Sequence, residues 1–404
     1  MATSRLRDGE FIALQAMLMA LAAFSIDAML PALPDLAREI SPGNPNRAQL
    51  VVTSFVLGMG IGTLFAGPIS DAFGRKKVII AGFCLYSIGA ALASVAQSLD
   101  LLLAARVIQG LGVAAPRIVS VAQIRDLYSG SKMASIMSFA TMIFMLMPAV
   151  APLFGTFIIA GFGWRGLFAC FIVFAMIAAL WLGLRQPETL APQDRRPLEL
   201  RLLWTGLREV LAQRPVQVCI AVMTLAFGIL FGTVSSTQPI FDISFGREKT
   251  FALWFGFIAL ISLPAGYINA RLVGKVGMRR LVTMTFCVQL VITVVVLMLT
   301  KFALLPNSLS MAAFVIWGIS VFSMANIVFG NLNTIALQSL GHMAGLASSV
   351  VVATATVLAV GVAAPLGVMF DGTPVPLLTG VAVLLTFAVV LMQLMPREAI
   401  SPSA

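Results

Sequence analysis

Apolar runs of about 20 residues recur along this sequence, each long enough to cross the hydrocarbon core of a bilayer as a helix. They fall at 11–34, 48–68, 78–97, 101–122, 134–160, 164–184, 215–240, 250–270, 280–300, 305–332, 343–367 and 374–395. Charged residues make up only 10% of the chain, against 60% hydrophobic, and they gather in the short stretches between the runs. Lipid offers no partners to backbone N–H and C=O groups, so each run must satisfy its own, as a helix does. No two-residue alternation of the barrel type competes. The expected fold is an all-α polytopic membrane protein with twelve transmembrane helices. The first run is read as a span rather than a cleavable leader, because it is long, contains Asp27 and leads straight into a second run.

Lysine and arginine set the expected orientation. With the amino terminus inside, 18 basic residues fall on cytoplasmic segments and six on the other side: Arg38, Arg47, Arg165, Arg247, Lys249 and Lys301. The remaining two of the 26, Arg106 and Arg117, lie within the fourth span. This bias places both termini in the cytoplasm. It also explains the net charge of +10 as topology and contact with membrane lipids, with no nucleic-acid partner expected.

The sequence divides into halves. Residues 1–184 form an expected amino-terminal six-helix bundle and 215–404 a carboxy-terminal one. Between them, 185–214 reads as a polar cytoplasmic linker with a short amphipathic helix from Leu198 to Leu211. The halves echo each other. Gly67-Pro-Ile-Ser-Asp-Ala-Phe-Gly-Arg-Lys-Lys77 follows the second span, and Ala270-Arg-Leu-Val-Gly-Lys-Val-Gly-Met-Arg-Arg280 follows the eighth. Gly74 matches Gly277 and Lys76-Lys77 match Arg279-Arg280 at an offset of 203 residues. Two pseudo-symmetric bundles from a duplication are a common transporter plan, with the substrate held between them.

Several chemistries are absent from the pattern. There is no Gly-x4-Gly-Lys-Ser/Thr loop for nucleotide, no nucleophile–base constellation and no metal-ligand spacing. An enzyme is therefore not expected, nor a metal or cofactor, and ATP is not the evident energy source. The four cysteines, Cys84, Cys170, Cys219 and Cys287, lie in separate spans and read as packing residues. His342, the only histidine, falls in a short loop and reads as a loop or helix-start residue.

Gly67, Asp71, Gly74 and Arg75 have the makings of a latch at the inner ends of the helices. The plainer alternative is a positive-inside loop with a stop signal. The same loop resembles the signature loop of the major facilitator superfamily. Arg106-Val-Ile-Gln-Gly-Leu-Gly112 resembles the arginine motif of that superfamily's proton-driven drug exporters, and Asp27-Ala-Met-Leu-Pro-Ala-Leu-Pro34 resembles the first-span motif of its twelve-span antiporters. Arg125-Asp126-Leu-Tyr128, Gly341-His-Met-Ala-Gly345 and Phe370-Asp-Gly-Thr-Pro374 with Leu377 are similar to the bicyclomycin/chloramphenicol-resistance (Bcr/CflA) branch. The resemblance implies the major facilitator fold and proton-coupled export of small amphipathic or hydrophobic compounds from a bacterial inner membrane. Two departures stand out. The span-five stretch Pro148-Ala-Val-Ala-Pro-Leu-Phe-Gly155 has fewer glycines than the family's hinge, though Pro148, Pro152 and Gly155 can still bend it. And Gly274, the counterpart of Asp71, is not an acid.

Asp27 is the only acid well inside a span, and an ionisable group there is a functional candidate by default. Counting from the outer ends at roughly 1.5 Å per residue, Asp27 and Arg106 both lie about 10 Å deep, so they can meet if the first and fourth spans face each other. The resemblance implies that both line the central cavity. A carboxylate whose surroundings alternate between wet and dry changes its hold on a proton; a static buried ion pair is the plainer reading. Arg117, 11 residues after Arg106, shares its face about 16 Å deeper, with Gly110 and Val113 between. It reads either as a contact for an anionic or strongly polar group or as a residue snorkelling to headgroups.

Helical faces suggest the rest of the cavity. Gln15, Met19 and Ala23 lie on or beside the Asp27 face; Met142 and Met145 come from span five, Ser236 and Gln238 from span seven, and Asn326 and Asn333 from span ten. Each polar residue could equally bind helix to helix. The expected protein is a monomer handling a small-molecule substrate and protons. An exporter of one specific, perhaps anionic, metabolite and a non-transporting sensor or scaffold are the alternatives.

Overall fold

The computed structural model describes residues 6–198, 200–338, 340 and 343–395, without the side chains of 200–203. Gly341 and His342 lie outside the described residues, so the loop motif they belong to has no structural account. Eleven of the described helical segments are long and apolar enough to cross a membrane. One of them, Gly130–Arg185, has 56 residues. At about 1.5 Å per residue it would be about 84 Å long, far beyond one crossing. It breaks at Gly163, whose φ of 66° and ψ of 179° leave the helical region. It therefore supplies spans five and six, and the spans among the described residues number twelve.

The remaining spans follow in order. Span one is Asp8–Asp27, span two Leu50–Phe73, span three Arg75–Ser94 and span four Leu99–Leu127. A linker helix, Leu200–Ala212, precedes span seven, Arg214–Pro239. Span eight comes in two pieces, Phe251–Ser262 and Pro264–Val276. Spans nine to twelve are Met278–Lys301, Asn307–Leu337, Ala344–Val368 and Val375–Leu394. Proline explains the two interruptions that apolar length does not reveal. Span one passes into a 3-10 turn at Leu30–Ala32 and a short helix Leu33–Ile40, each carrying a proline in its first turn. Span eight restarts at Pro264. Proline lacks the N–H that would continue a ladder but begins a new turn well.

The internal repeat is visible in the backbone. Gly74 and Gly277 both end a helix with positive φ, 100° and 82°, and ψ of 149° and 146°. Each donates its N–H four residues back, to Ser70 and Val273. Those partners are themselves 203 residues apart, so the duplication extends to the turn geometry.

Glycine lets the amino-terminal bundle close up. A β-carbon on Gly110 of span four would stand 2.1 Å from the Phe55 carbonyl oxygen of span two, and one on Gly58 2.0 Å from the Val107 oxygen. On the opposite side of span four, a β-carbon on Gly112 would come within 2.3 Å of the Tyr86 nitrogen of span three. Lipid gives helices no hydrophobic drive to associate, so backbone-to-backbone approach of this kind carries the packing.

The two bundles meet along two seams. Span two lies against span eleven, with Gly60 at Thr356 and Val357, and span five against span eight, with Gly256 at Ala149. At the end away from the linker, side chains tie the seam. Asn46 Nδ2 donates to the Val368 and Phe370 carbonyls (3.0 and 2.6 Å), and Ser236 Oγ donates to Gln49 Oε1 (3.3 Å).

Substituting valine at Gly110 should lower the melting temperature of the detergent-solubilised protein by several degrees, since overpacking costs about 1–3 kcal/mol. Gly330, with nothing within 4 Å of a built β-carbon, is the matched control. Its alanine variant should melt at or above the parent temperature. Equal losses at both sites would show that the crossing does not depend on glycine.

Candidate functional site

Arg106 is fully buried and bonds two neighbouring spans to its own, while a third joins through Ser25. Its Nη2 donates to the Ser25 carbonyl of span one (3.0 Å), its Nε to the Val51 carbonyl of span two (3.2 Å), and its Nη1 to Gln109 Oε1 one turn along span four (2.6 Å). The guanidinium lies 4.3 Å from the centroid of the Phe55 ring. Ser25 Oγ donates to the Leu21 carbonyl (2.7 Å), which leaves the Tyr86 hydroxyl of span three to donate to Ser25 Oγ (2.6 Å). Four helices thus converge on one cation that has carbonyl oxygens and a ring face for company but no carboxylate.

Asp27 sits two residues beyond Ser25, at the end of the first helix, and is 5% exposed. Among the described residues its carboxylate has no hydrogen bond and no ion pair, yet its oxygens keep contact with accessible space. The expected meeting of Asp27 with Arg106 is therefore corrected. The spans face each other at the right depth, but the arginine reaches the backbone of span one rather than the acid. Fixed main-chain carbonyls satisfy the guanidinium without desolvating a second charge. Ala28, next in the chain, is the residue on which span five closes, for a β-carbon on Gly155 would stand 2.2 Å from its oxygen.

The other cavity candidates divide. Gln15 Nε2 donates to Gln123 Oε1 (3.1 Å) across spans one and four, leaving Gln15 Oε1 and Gln123 Nε2 buried without partners. Met19 is half-buried and Ala23 buried on the same helix. Arg117 is half-buried, with its Nη1 3.8 Å from Met59 Sδ. Gly110 and Val113 do not line a cavity: the first is taken up in the crossing with span two and the second is fully buried. A shared helical angle with Arg106 could not reveal this, because that face of span four is occupied by a neighbouring helix. Met142 and Met145 stand exposed beside Phe139 and Leu146 and are not gathered with the Asp27 group. Ser236 and Gln238 are buried, Ser236 in the seam with Gln49. Asn326 donates to the Ser262 carbonyl (3.2 Å) and Asn333 to Ser348 Oγ (3.1 Å), both joining helices within the carboxy-terminal bundle.

The linker end carries a charge cluster. Arg75 Nε donates to Asp126 Oδ2 (3.1 Å), and Arg75 Nη1 to Ser70 Oγ (2.6 Å) and to Asp71 Oδ1. Glu188, from the linker, accepts from the Arg75 and Lys76 backbone N–H groups (2.8 and 3.2 Å) and so caps span three, over the backbone of Gly74. Thr189 Oγ1 donates to Asp126 Oδ2 (3.0 Å). Gly67 faces Ser349 of span eleven at the seam between bundles. Pro152 is buried and Pro148 half-buried in span five.

Sequence reasoning passed over Ser25, Tyr86, Gln109, Gln123 and Glu188 as site residues. Gln109 could have been found, three residues after Arg106 and so on its face. Tyr86 and Glu188 could not, since their partners are 61 and 113 residues away.

Comparison with known proteins agrees with the fold. The family model described as Major Facilitator Superfamily matches residues 16–365. The chain is 28% identical over 344 residues to the bicyclomycin resistance protein homolog of Haemophilus influenzae, covering 84% of each chain. It is 27% identical over 258 residues to the chloramphenicol resistance protein of Pseudomonas aeruginosa, covering 63% of this chain and 59% of that one. Among solved structures, a crystal structure of a D-xylose–proton symporter superposes with a TM-score of 0.77 at 14% identity, covering 98% of this chain and 99% of that one.

Arg106 tests whether the cluster exists for stability. Arg106→Met leaves the Ser25 carbonyl and Gln109 Oε1 buried without their donor, at about 1–3 kcal/mol each. It should therefore melt several degrees below the parent in a fluorescence-detected thermal scan. An unchanged melting temperature would show that the arginine is not a structural strut.

Proposed function

The chain belongs to the Major Facilitator Superfamily, a family of transporters, and on that footing we propose that it exports small amphipathic or hydrophobic compounds in exchange for protons. Support for the drug-export part comes from relatives whose names record resistance to bicyclomycin and chloramphenicol. Support for the proton part comes from one observation: Asp27 is an unpartnered acid, nearly buried among the spans, whose oxygens still touch accessible space. A carboxylate in that position gains a proton when its surroundings dry and loses it when water and polar groups return.

In this reading the bundles rock about the seams of spans two and eleven and of spans five and eight. Substrate enters from the linker end while Asp27 is deprotonated. The bundles turn, the acid takes a proton from the far side, and substrate leaves. The protonated form returns and releases its proton. Arg106 does not act by gripping Asp27. It holds the Ser25 carbonyl two residues away, so a shift in the backbone at Asp27 is carried directly to spans two, three and four. The proton gradient is the sole energy source, with no cofactor. The protein works as a monomer in the bacterial inner membrane, with both termini and the linker in the cytoplasm. Arg75, Asp71 and Asp126, capped by Glu188, latch the linker end and release as the bundles separate.

In proteoliposomes under an imposed pH gradient, Asp27→Asn should reduce chloramphenicol or bicyclomycin efflux to the rate of empty vesicles while the protein elutes as a folded monomer. Undiminished efflux would remove Asp27 from the coupling. Orientation has its own check: reporter fusions after residues 195 and 395 should both be active as cytoplasmic fusions, and activity on the opposite side would reverse the topology.

A further inference from the structure

Two arginines lie inside span four, and their surroundings differ. Arg106 has its donors taken by two main-chain carbonyls and a glutamine. The Arg117 guanidinium has one hydrogen-bond partner among the described residues, the thioether of Met59 at 3.8 Å. Sulfur is a weak acceptor, so the positive charge and most of the five N–H donors are left over. The remaining nitrogens are not sealed against the protein, for none is a buried atom without a partner. Among the described residues no acid faces Arg117. The guanidinium of this half-buried residue thus lacks both a counter-ion and a strong acceptor among the described residues.

Its location is interior. Met59, which it touches, is 5% exposed. Met59 stands between Gly58, pressed on Val107 of span four, and Gly60, pressed on Thr356 and Val357 of span eleven across the seam between bundles. Arg117 therefore reaches toward the meeting of the two bundles. About 9 Å further along span four is Gln123, paired with Gln15 and left with an unpartnered amide nitrogen beside an unpartnered carbonyl oxygen. The level of Arg106 and Asp27 is about 16 Å away in the other direction, so a ligand at Arg117 does not share a position with the carboxylate.

We propose that Arg117 recognises an anionic group, a carboxylate, sulfonate or phosphate, on an otherwise apolar ligand, with Met59 packing against the ligand's body. This rests on the exporter reading above and names the class of ligand bound in preference, with neutral compounds bound more weakly. A free guanidinium in poor solvent is best matched by a planar or multidentate anion, which takes two parallel N–H bonds at once. A neutral ligand would leave the charge uncompensated. The thioether beside it suits varied apolar bodies.

Three probes on one skeleton test this by equilibrium dialysis: 2-naphthoate, 2-naphthamide and 2-naphthylmethylammonium, with the full chain in phosphatidylcholine nanodiscs. The parent protein should bind naphthoate in preference to the other two. Arg117→Gln should reduce the naphthoate-to-naphthamide affinity ratio by about tenfold, the loss expected for a charged hydrogen bond. Arg117→Lys should keep part of the ratio, since it retains the charge but not the paired N–H bonds, and this separates charge recognition from misfolding. Equal affinities in the parent, or an equal loss of all three probes in Arg117→Gln, would overturn the proposal. Adding phosphatidylglycerol identifies the anion's source: competition against naphthoate supports the site with a lipid headgroup as occupant, and its absence supports it with a free amphiphile. No gradient enters the measurement. Failure of naphthoate selection can therefore coincide with intact pH-driven efflux, and loss of efflux in Asp27→Asn can coincide with intact selection.

Discussion

A charge placed among lipid-spanning helices must find its own solvent, and the amino-terminal bundle is arranged around one such charge. Arg106 is enclosed by carbonyls of spans one and two, the side chain of Gln109 and the face of Phe55, while Tyr86 of span three joins through Ser25. Main-chain carbonyls at these distances require close helices. The closeness is supplied by glycine: Gly58, Gly110 and Gly112 leave room for backbone against backbone on both sides of span four. A charge held by carbonyls and helices held by missing side chains are two parts of one arrangement.

Because Arg106 is already satisfied, Asp27 is not committed to it. An acid locked in an ion pair has a fixed protonation state. An acid outside any ion pair responds to whatever water or ligand reaches it. Span five closes against span one at Gly155 and Ala28, beside this acid, so a movement of span five bears on the backbone next to Asp27. At the linker end a second cation, Arg75, is handled differently, with two carboxylates and a serine at its guanidinium and a linker glutamate on its backbone.

Much of this arrangement is legible in the amino-acid sequence. Segment count follows from apolar length, and the duplication from Gly74 and Gly277, whose backbone angles agree closely. Asp27 and Arg106 stand out because ionisable groups are rare in such runs, and Asp71 and Arg75 because they belong to the loop motif after the second span. Helical faces are less informative, because a face on one helix need not look into open space. Gly110 and Val113 share the arginine face but are covered by neighbouring helix, and Met142 and Met145 stand exposed away from the Asp27 group. Asn326 and Asn333 are spent on neighbouring helices.

By itself the sequence determined which segments enter the membrane, where the chain doubles and which charges are out of place, since these depend on composition along the chain and on the properties of lipid. Only the tertiary structure decided which partner each charge takes. Ser25 and Arg106 are 81 residues apart, and Arg75 and Glu188 are 113. No local period relates residues at such separations; what brings them together is the depth, tilt and approach of whole helices.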